Sequence, residues 1–180
     1  MTELKKYVLT GGPSSGKSTL LYALQNKGFL IVEESAKEII YQEKERGINE
    51  PWLDKTFPDF QNKIFELQLK KESEIPEDAG VVFFDRGVPD SLIYFEYRKF
   101  EPPQKLLDIV GKCGYEKVFL LEQLQTHEKN DYRVEDEEES KLISGLIRQT
   151  YEKLGYDVIV IPPVSVEERL KLILKHVENS

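Results

Sequence analysis

The chain has 180 residues, 39% hydrophobic and 32% charged, the composition of one globular domain that can bury a core without disulfides. Its 33 acidic residues against 25 basic ones give a net charge of -8, which argues against a general nucleic-acid binder with a basic face. One cysteine, Cys113, excludes an internal disulfide and a cysteine-rich zinc site, and two histidines, His127 and His176, argue against a multi-histidine metal centre.

Five short apolar runs punctuate the chain, and amphipathic stretches separate them. Tyr7-Val8-Leu9 is the first predicted strand, and a helix follows from about Lys17 to Asn26, ending near Gly28. Phe29 to Val32 is the second strand, followed by a helix over about Ser35 to Arg46 that Gly47 closes. A third helix, about Pro58 to Glu74, carries an apolar stripe of Phe60, Ile64 and Leu67. Val81 to Phe84 is the third strand, and helical pieces over Asp90 to Lys99 and Pro103 to Lys112 lead to a fourth, Val118 to Leu121. A long helix over Glu137 to Leu154 repeats Leu142, Ile143, Leu146 and Ile147 at helical spacing. Val158 to Ile161 is the last strand, and Ser165, with Glu168 three residues on, forms a capping box for the last helix. The strands are continuously apolar, as strands covered on both faces are, and the helices between them are long enough for crossovers. The expected fold is therefore a three-layer α/β domain around a parallel five-stranded sheet, with residues 1–180 forming one domain.

The chemistry concentrates where strands end. Gly11-Gly12-Pro13-Ser14-Ser15-Gly16-Lys17-Ser18, followed by Thr19, fits G-x-x-x-x-G-K-[ST] between a strand and a helix. Such a loop wraps its backbone N–H groups around phosphates, sends its lysine to the β- and γ-phosphates, and offers its serine hydroxyl to Mg²⁺. Asp85-Arg86-Gly87 ends the third strand, with Asp90 nearby. There Asp85 is placed to hold Mg²⁺ and Arg86 to face phosphate oxygens, although an acidic residue at that point also suits a cap for the following turn. Glu33-Glu34 closes the second strand at the same sheet edge. Either glutamate would orient an acceptor hydroxyl or complete the metal shell, unless both simply open the next helix. The polar segment Thr126 to Arg133, within a lid of about 122–137, has Arg133 as its candidate phosphate contact, while the acidic run Glu135 to Glu139 suits the N-terminus of the next helix. His127 reads as a surface residue and Cys113 as core packing.

Taken together, T-G-G-P-S-S-G-K-S-T, the strand-two E-E, F-F-D-R-G-x-x-D, D-Y-R-V-E and L-G-Y-D-V-I-V-I-P-P-V-S-V-E-E-R resemble one group. It is the AAA-type P-loop ATPase domain related to the nicotinamide riboside kinase domain of bacterial NAD regulators. The resemblance runs from Tyr7 to about Leu174. It implies a nucleoside- or nucleotide-kinase-like core with strand order 2-3-1-4-5, a helical lid, and ATP with Mg²⁺ in the P-loop. It also implies that Lys17 and Ser18 hold phosphate and metal, that Asp85 and Arg86 form the acidic-basic element, and that Arg133 is the lid arginine. The turn from Pro162 to Val166, including Pro163, Val164 and Ser165, would lie beside the nucleotide base.

Two functions follow as expectations. The first is a small-molecule kinase that passes the ATP γ-phosphoryl group to a nucleoside- or riboside-like hydroxyl, the acceptor lying in a pocket lined from the Phe57 to Ile75 region. The second is a nucleotide-binding module whose lid state signals to a partner protein, without kinase activity. A membrane-surface switch would need a basic patch that this acidic chain does not show. No N-K-x-D motif for guanine occurs, which favours adenine. With no apolar core of signal-peptide length after Met1 and no run approaching a membrane span, the expected location is the cytoplasm.

Overall fold

A computed structural model describes residues 3–124 and 137–178. Within these residues the elements run β1 (Lys5–Thr10), α1 (Lys17–Gln25), β2 (Leu30–Val32), α2 (Ser35–Glu45), α3 (Phe57–Ser73) and β3 (Val81–Asp85). They continue with α4 (Val88–Tyr97), α5 (Gln104–Ile109), β4 (Tyr115–Leu121), α6 (Glu137–Lys153), β5 (Val158–Ile161) and α7 (Val166–Glu178). The strands form one parallel sheet in the order β2-β3-β1-β4-β5.

Side chains alternate across the strands, and each set meets a separate helix layer. Tyr7, Leu9, Phe83, Phe119 and Leu121 pack with Leu20, Leu21 and Leu24 of α1 and Ile173 of α7. Val8, Val82, Phe84, Val118 and Leu120 face the other way, onto Phe65 of α3, Phe95 of α4 and Ile147 and Tyr151 of α6. Cys113 belongs to this second core, as its reading as a packing residue expects. Because both faces bury apolar side chains, alternation is invisible in the sequence and the strands read as unbroken apolar runs.

Element ends differ from the sequence expectation by a few residues. β4 begins three residues early, at Tyr115, α5 ends three residues early, at Ile109, and α4 begins at Val88 instead of Asp90. The cause at α4 is visible: Asp90 sits at the third helical position, where its carboxylate accepts the Gly87 N–H at 3.0 Å. The capping box before α7 forms as expected, the Ser165 N–H donating to Glu168 and the Glu168 N–H to Ser165 Oγ.

This topology positions the site. β1 is central, with β2 and β3 on one side and β4 and β5 on the other, so its C-terminal end lies where the winding of the chain reverses. The register pairs Leu9 with Asp85, and the Arg86 N–H donates to Leu9 O at 2.9 Å. The Gly-rich loop and the Asp85-Arg86-Gly87 turn thus leave adjacent strands side by side. Among the described residues, no helix is long and apolar enough to cross a membrane.

Candidate active site

The loop between β1 and α1 needs its first two glycines for close approach. Gly11 has a φ of 148°, and a Cβ there would stand 2.6 Å from the backbone oxygen of Leu121. At Gly12 a Cβ would meet Ser140 Oγ of α6 at 2.5 Å. A backbone oxygen in a sheet cannot swing aside as a side chain can. Gly11→Ala is therefore expected to lower stability by about 2 kcal/mol or more and to weaken nucleotide binding. A melting curve paired with a nucleotide titration checks both.

Lys17 opens α1 and turns back over the loop. Its Nζ donates to Gly11 O at 3.0 Å, Gly12 O at 2.9 Å and Ser15 Oγ at 3.2 Å. Burial, reinforced by the positive charge of Arg86, pulls its ammonium down from 10.5 to about 7. This cation is held where water solvates it poorly, and an anion in the loop would relieve that cost.

Asp85 ends β3 beneath the loop. Ser18 Oγ donates to its Oδ2 at 3.4 Å, and its buried Oδ1 has no hydrogen-bond partner among the described residues. Burial, and then the nearby charge of Glu34, push its carboxyl above the ordinary aspartate range. An orphaned buried carboxylate oxygen next to a serine hydroxyl is an oxygen donor set suited to Mg²⁺, so the residues present fit that ion.

Arg86 adopts a left-handed backbone, φ 70°, which turns its guanidinium inward. It donates to Glu34 Oε1 at 2.9 Å, Asp90 Oδ1 at 3.1 Å and Gly11 O at 3.3 Å, and lies 5.4 Å over the Tyr94 ring. Asp90 in turn accepts from Thr10 Oγ1 and from Tyr151 of α6, both at 2.6 Å. Burial works against the Glu34 charge, but the attraction and hydrogen bond of Arg86 prevail and hold its carboxyl below the usual glutamate range. At neutral pH Glu34 is an ionised acceptor already locked in position.

Beside this cluster opens a cavity of about 330 Å³. Pro13 of the Gly-rich loop lines it together with Glu34, Asp85, Arg86 and Asp90, and Trp52, Phe57, Phe60, Tyr94 and Tyr97 supply aromatic walls. Gln61 and Gln68 of α3 also line it, Gln61 donating to Ser91 Oγ at 3.1 Å and Gln68 to the Arg86 carbonyl at 3.3 Å. Phosphate loop, paired carboxylates and an aromatic pocket therefore share one edge of the sheet.

A family model described as AAA domain matches residues 6–169. The chain belongs to the AAA domain family. No curated protein matches it. Among solved structures, a deoxyadenosine kinase from M. mycoides is 16% identical with a TM-score of 0.68, over 97% of this chain and 98% of that one. A thymidylate kinase from Ehrlichia chaffeensis is 14% identical, also at 0.68, over 97% of this chain and 99% of that one. The NadR protein, solved in complex with NR, is 20% identical at 0.64, over 87% of this chain and 45% of that one. These likenesses show the fold, that of a P-loop kinase-like domain.

The P-loop domain brings Gly11 to Ser18, Asp85, Arg86 and Glu34 together, and Thr19 follows within the first turn of α1. Glu33 does not join them: it is exposed, and Tyr22 of α1 donates to its Oε1. Successive residues at a strand end point to opposite faces, which separates the two glutamates. The turn holding Pro163, Val164 and Ser165 reaches the P-loop through Arg169. This α7 guanidinium donates to Pro162 O at 2.9 Å, Glu122 O at 2.7 Å and Ser15 O. Arg133, His127 and most of the expected lid, residues 125–136, lie outside the described residues.

Sequence reasoning missed Arg169, Tyr151, Thr10 and Lys37, whose Nζ donates to Ser18 Oγ at 2.9 Å. Thr10 opens the Gly-rich motif and Arg169 closes the last one, each without a role assigned to it there, and Lys37 lies just beyond Glu33-Glu34. Tyr151 sits inside an amphipathic helix and carries no local signal.

Proposed function

We propose that this P-loop domain is a small-molecule kinase whose acceptor is an uncharged or cationic aromatic riboside, such as a nucleoside. The observation that supports it is the shared wall: Pro13 of the phosphate loop and Glu34 line the same cavity. A hydroxyl there would meet a terminal phosphate and a carboxylate together. ATP would lie along Gly11 to Thr19, its base toward Pro163, Val164 and Ser165. Lys17 and Arg86 offset charge on the transferred group, and Ser18 and Asp85 would hold Mg²⁺, which supplies further positive charge at the phosphates when bound. The acceptor oxygen bonds to the γ-phosphorus as the bond to the ADP oxygen breaks, and the hydroxyl proton passes to Glu34.

The acceptor class follows from charge. Glu34, Asp85, Asp90 and Glu139 line the cavity against Arg86 and Arg98. Arg86 is paired with Glu34 and Asp90, and Arg98 with Asp54. An acceptor bearing phosphate or carboxylate would meet net negative charge there, whereas an aromatic ring, neutral or cationic, fits the walls. Adenosine, nicotinamide riboside, thymidylate and shikimate form a direct panel for ADP release. Turnover of the ribosides, with the two anions inactive, is expected; nucleotide binding without turnover of any acceptor would favour the regulatory module.

Two substitutions sharpen the assignment. Glu34→Gln is expected to slow transfer about 10²- to 10⁴-fold and background hydrolysis less, while Glu33→Gln stays near wild type. Comparable losses in both variants would remove Glu34 from the role of base. Arg133 is proposed as a further cation on the phosphates. Arg133→Ala should lower ADP release while the melting temperature without ligand stays unchanged, and Arg133→Lys should restore only part, since a point charge cannot form the planar fork.

A further inference from the structure

Lys37 stands in the first turn of α2, just beyond Glu34, and is exposed to solvent. Its Nζ lies 2.9 Å from Ser18 Oγ, the same hydroxyl that reaches Asp85 Oδ2 at 3.4 Å. Its charge also favours the ionised forms of Asp85 and Glu34, although burial still holds the Asp85 carboxyl above its ordinary range.

We propose that Lys37 is an additional phosphate-binding cation, one that engages the terminal phosphate of a nucleoside triphosphate and not the diphosphate. A divalent cation on Ser18 Oγ would share that oxygen with the ammonium, and two positive centres so close repel strongly. The lysine stem is exposed and flexible, so moving its head breaks no packing. With Lys17 expected at the β- and γ-phosphates and the metal held by Ser18 and Asp85, the anion that a displaced Lys37 head would meet is the terminal phosphate. Lys17 is confined inside the loop by three hydrogen bonds, whereas Lys37 reaches the Ser18 hydroxyl from α2, outside the loop. The two lysines therefore come to the loop from different elements.

This inference rests on the P-loop nucleotide reading and not on kinase activity, and its test uses binding alone. Mg·ADP and Mg·AMP-PNP are titrated calorimetrically into wild type, Lys37→Met and Lys37→Arg. Lys37→Met is expected to weaken AMP-PNP about 10-fold or more while leaving ADP within about twofold, and Lys37→Arg to recover part of the loss. Equal weakening of both nucleotides, or of neither, would overturn the proposal, since a general electrostatic or structural role makes no distinction at the γ-phosphate. Selective loss in a protein that turns over no acceptor would retain the proposal and overturn the kinase reading. Absence of nucleotide binding by wild type would overturn both.

Discussion

Lys17→Met is expected to abolish nucleotide binding and at the same time to make the ligand-free protein more stable at neutral pH. The two effects have one origin. The ammonium is buried beside Arg86 and releases its proton near 7, while an unfolded chain keeps it to about 10.5. Between those values the unfolded state binds more protons, so wild-type stability rises with pH across that window. Below it the full cost of burying the charge is present, on the order of a few kcal/mol. Methionine keeps the stem and removes the charge, so its advantage should be largest at or below pH 7 and fade toward pH 10. Melting temperatures of both proteins from pH 6 to 10, with a nucleotide titration at pH 7, check the pair. Parallel melting curves would show that the ammonium is solvated, and retained affinity would show that the loop binds phosphate without it.

Asp85→Asn should separate binding from turnover. The side chain keeps its size and its contact with Ser18 but loses the charge that makes its orphaned Oδ1 a metal donor. Nucleotide affinity measured without Mg²⁺ should change only a few-fold, since a negative charge facing phosphates has been removed. The gain in affinity on adding Mg²⁺ should disappear, and ADP release should fall about 10²-fold or more. Unchanged turnover would reduce Asp85 to a residue that shapes the turn after β3.

How legible these features were depended on whether the signal was local. Tyr7 to Ser18 could be read directly because strand, loop, lysine and serine follow one another, and the loop geometry depends on neighbours in sequence. Asp85 and Arg86 were legible because Val81 to Phe84 mark the strand they end. The choice between Glu33 and Glu34 was not, since it depends on which face each side chain leaves once β2 is paired. Tyr151 and Arg169 were the least accessible. Tyr151 looks like an ordinary helix residue and Arg169 like the tail of a motif, and the partners that give them meaning, Asp90 and Ser15, lie 61 and 154 positions away. A helical pattern reports which face is buried and nothing about what that face touches.

The reach of Arg169 also sets an order of events during synthesis. The phosphate loop leaves the ribosome well before α7, yet its Ser15 carbonyl is held by a guanidinium that emerges more than 150 residues later. Its parent strand β1 needs β3 and β4 on either side, and the same guanidinium also joins the ends of β4 and β5 through Glu122 and Pro162. A nascent chain would carry the nucleotide motif long before it could shape it. Nucleotide capture would then mark assembly of the sheet and the docking of α7, so an immobilised nucleotide would retain molecules with α7 in place and let those without it pass.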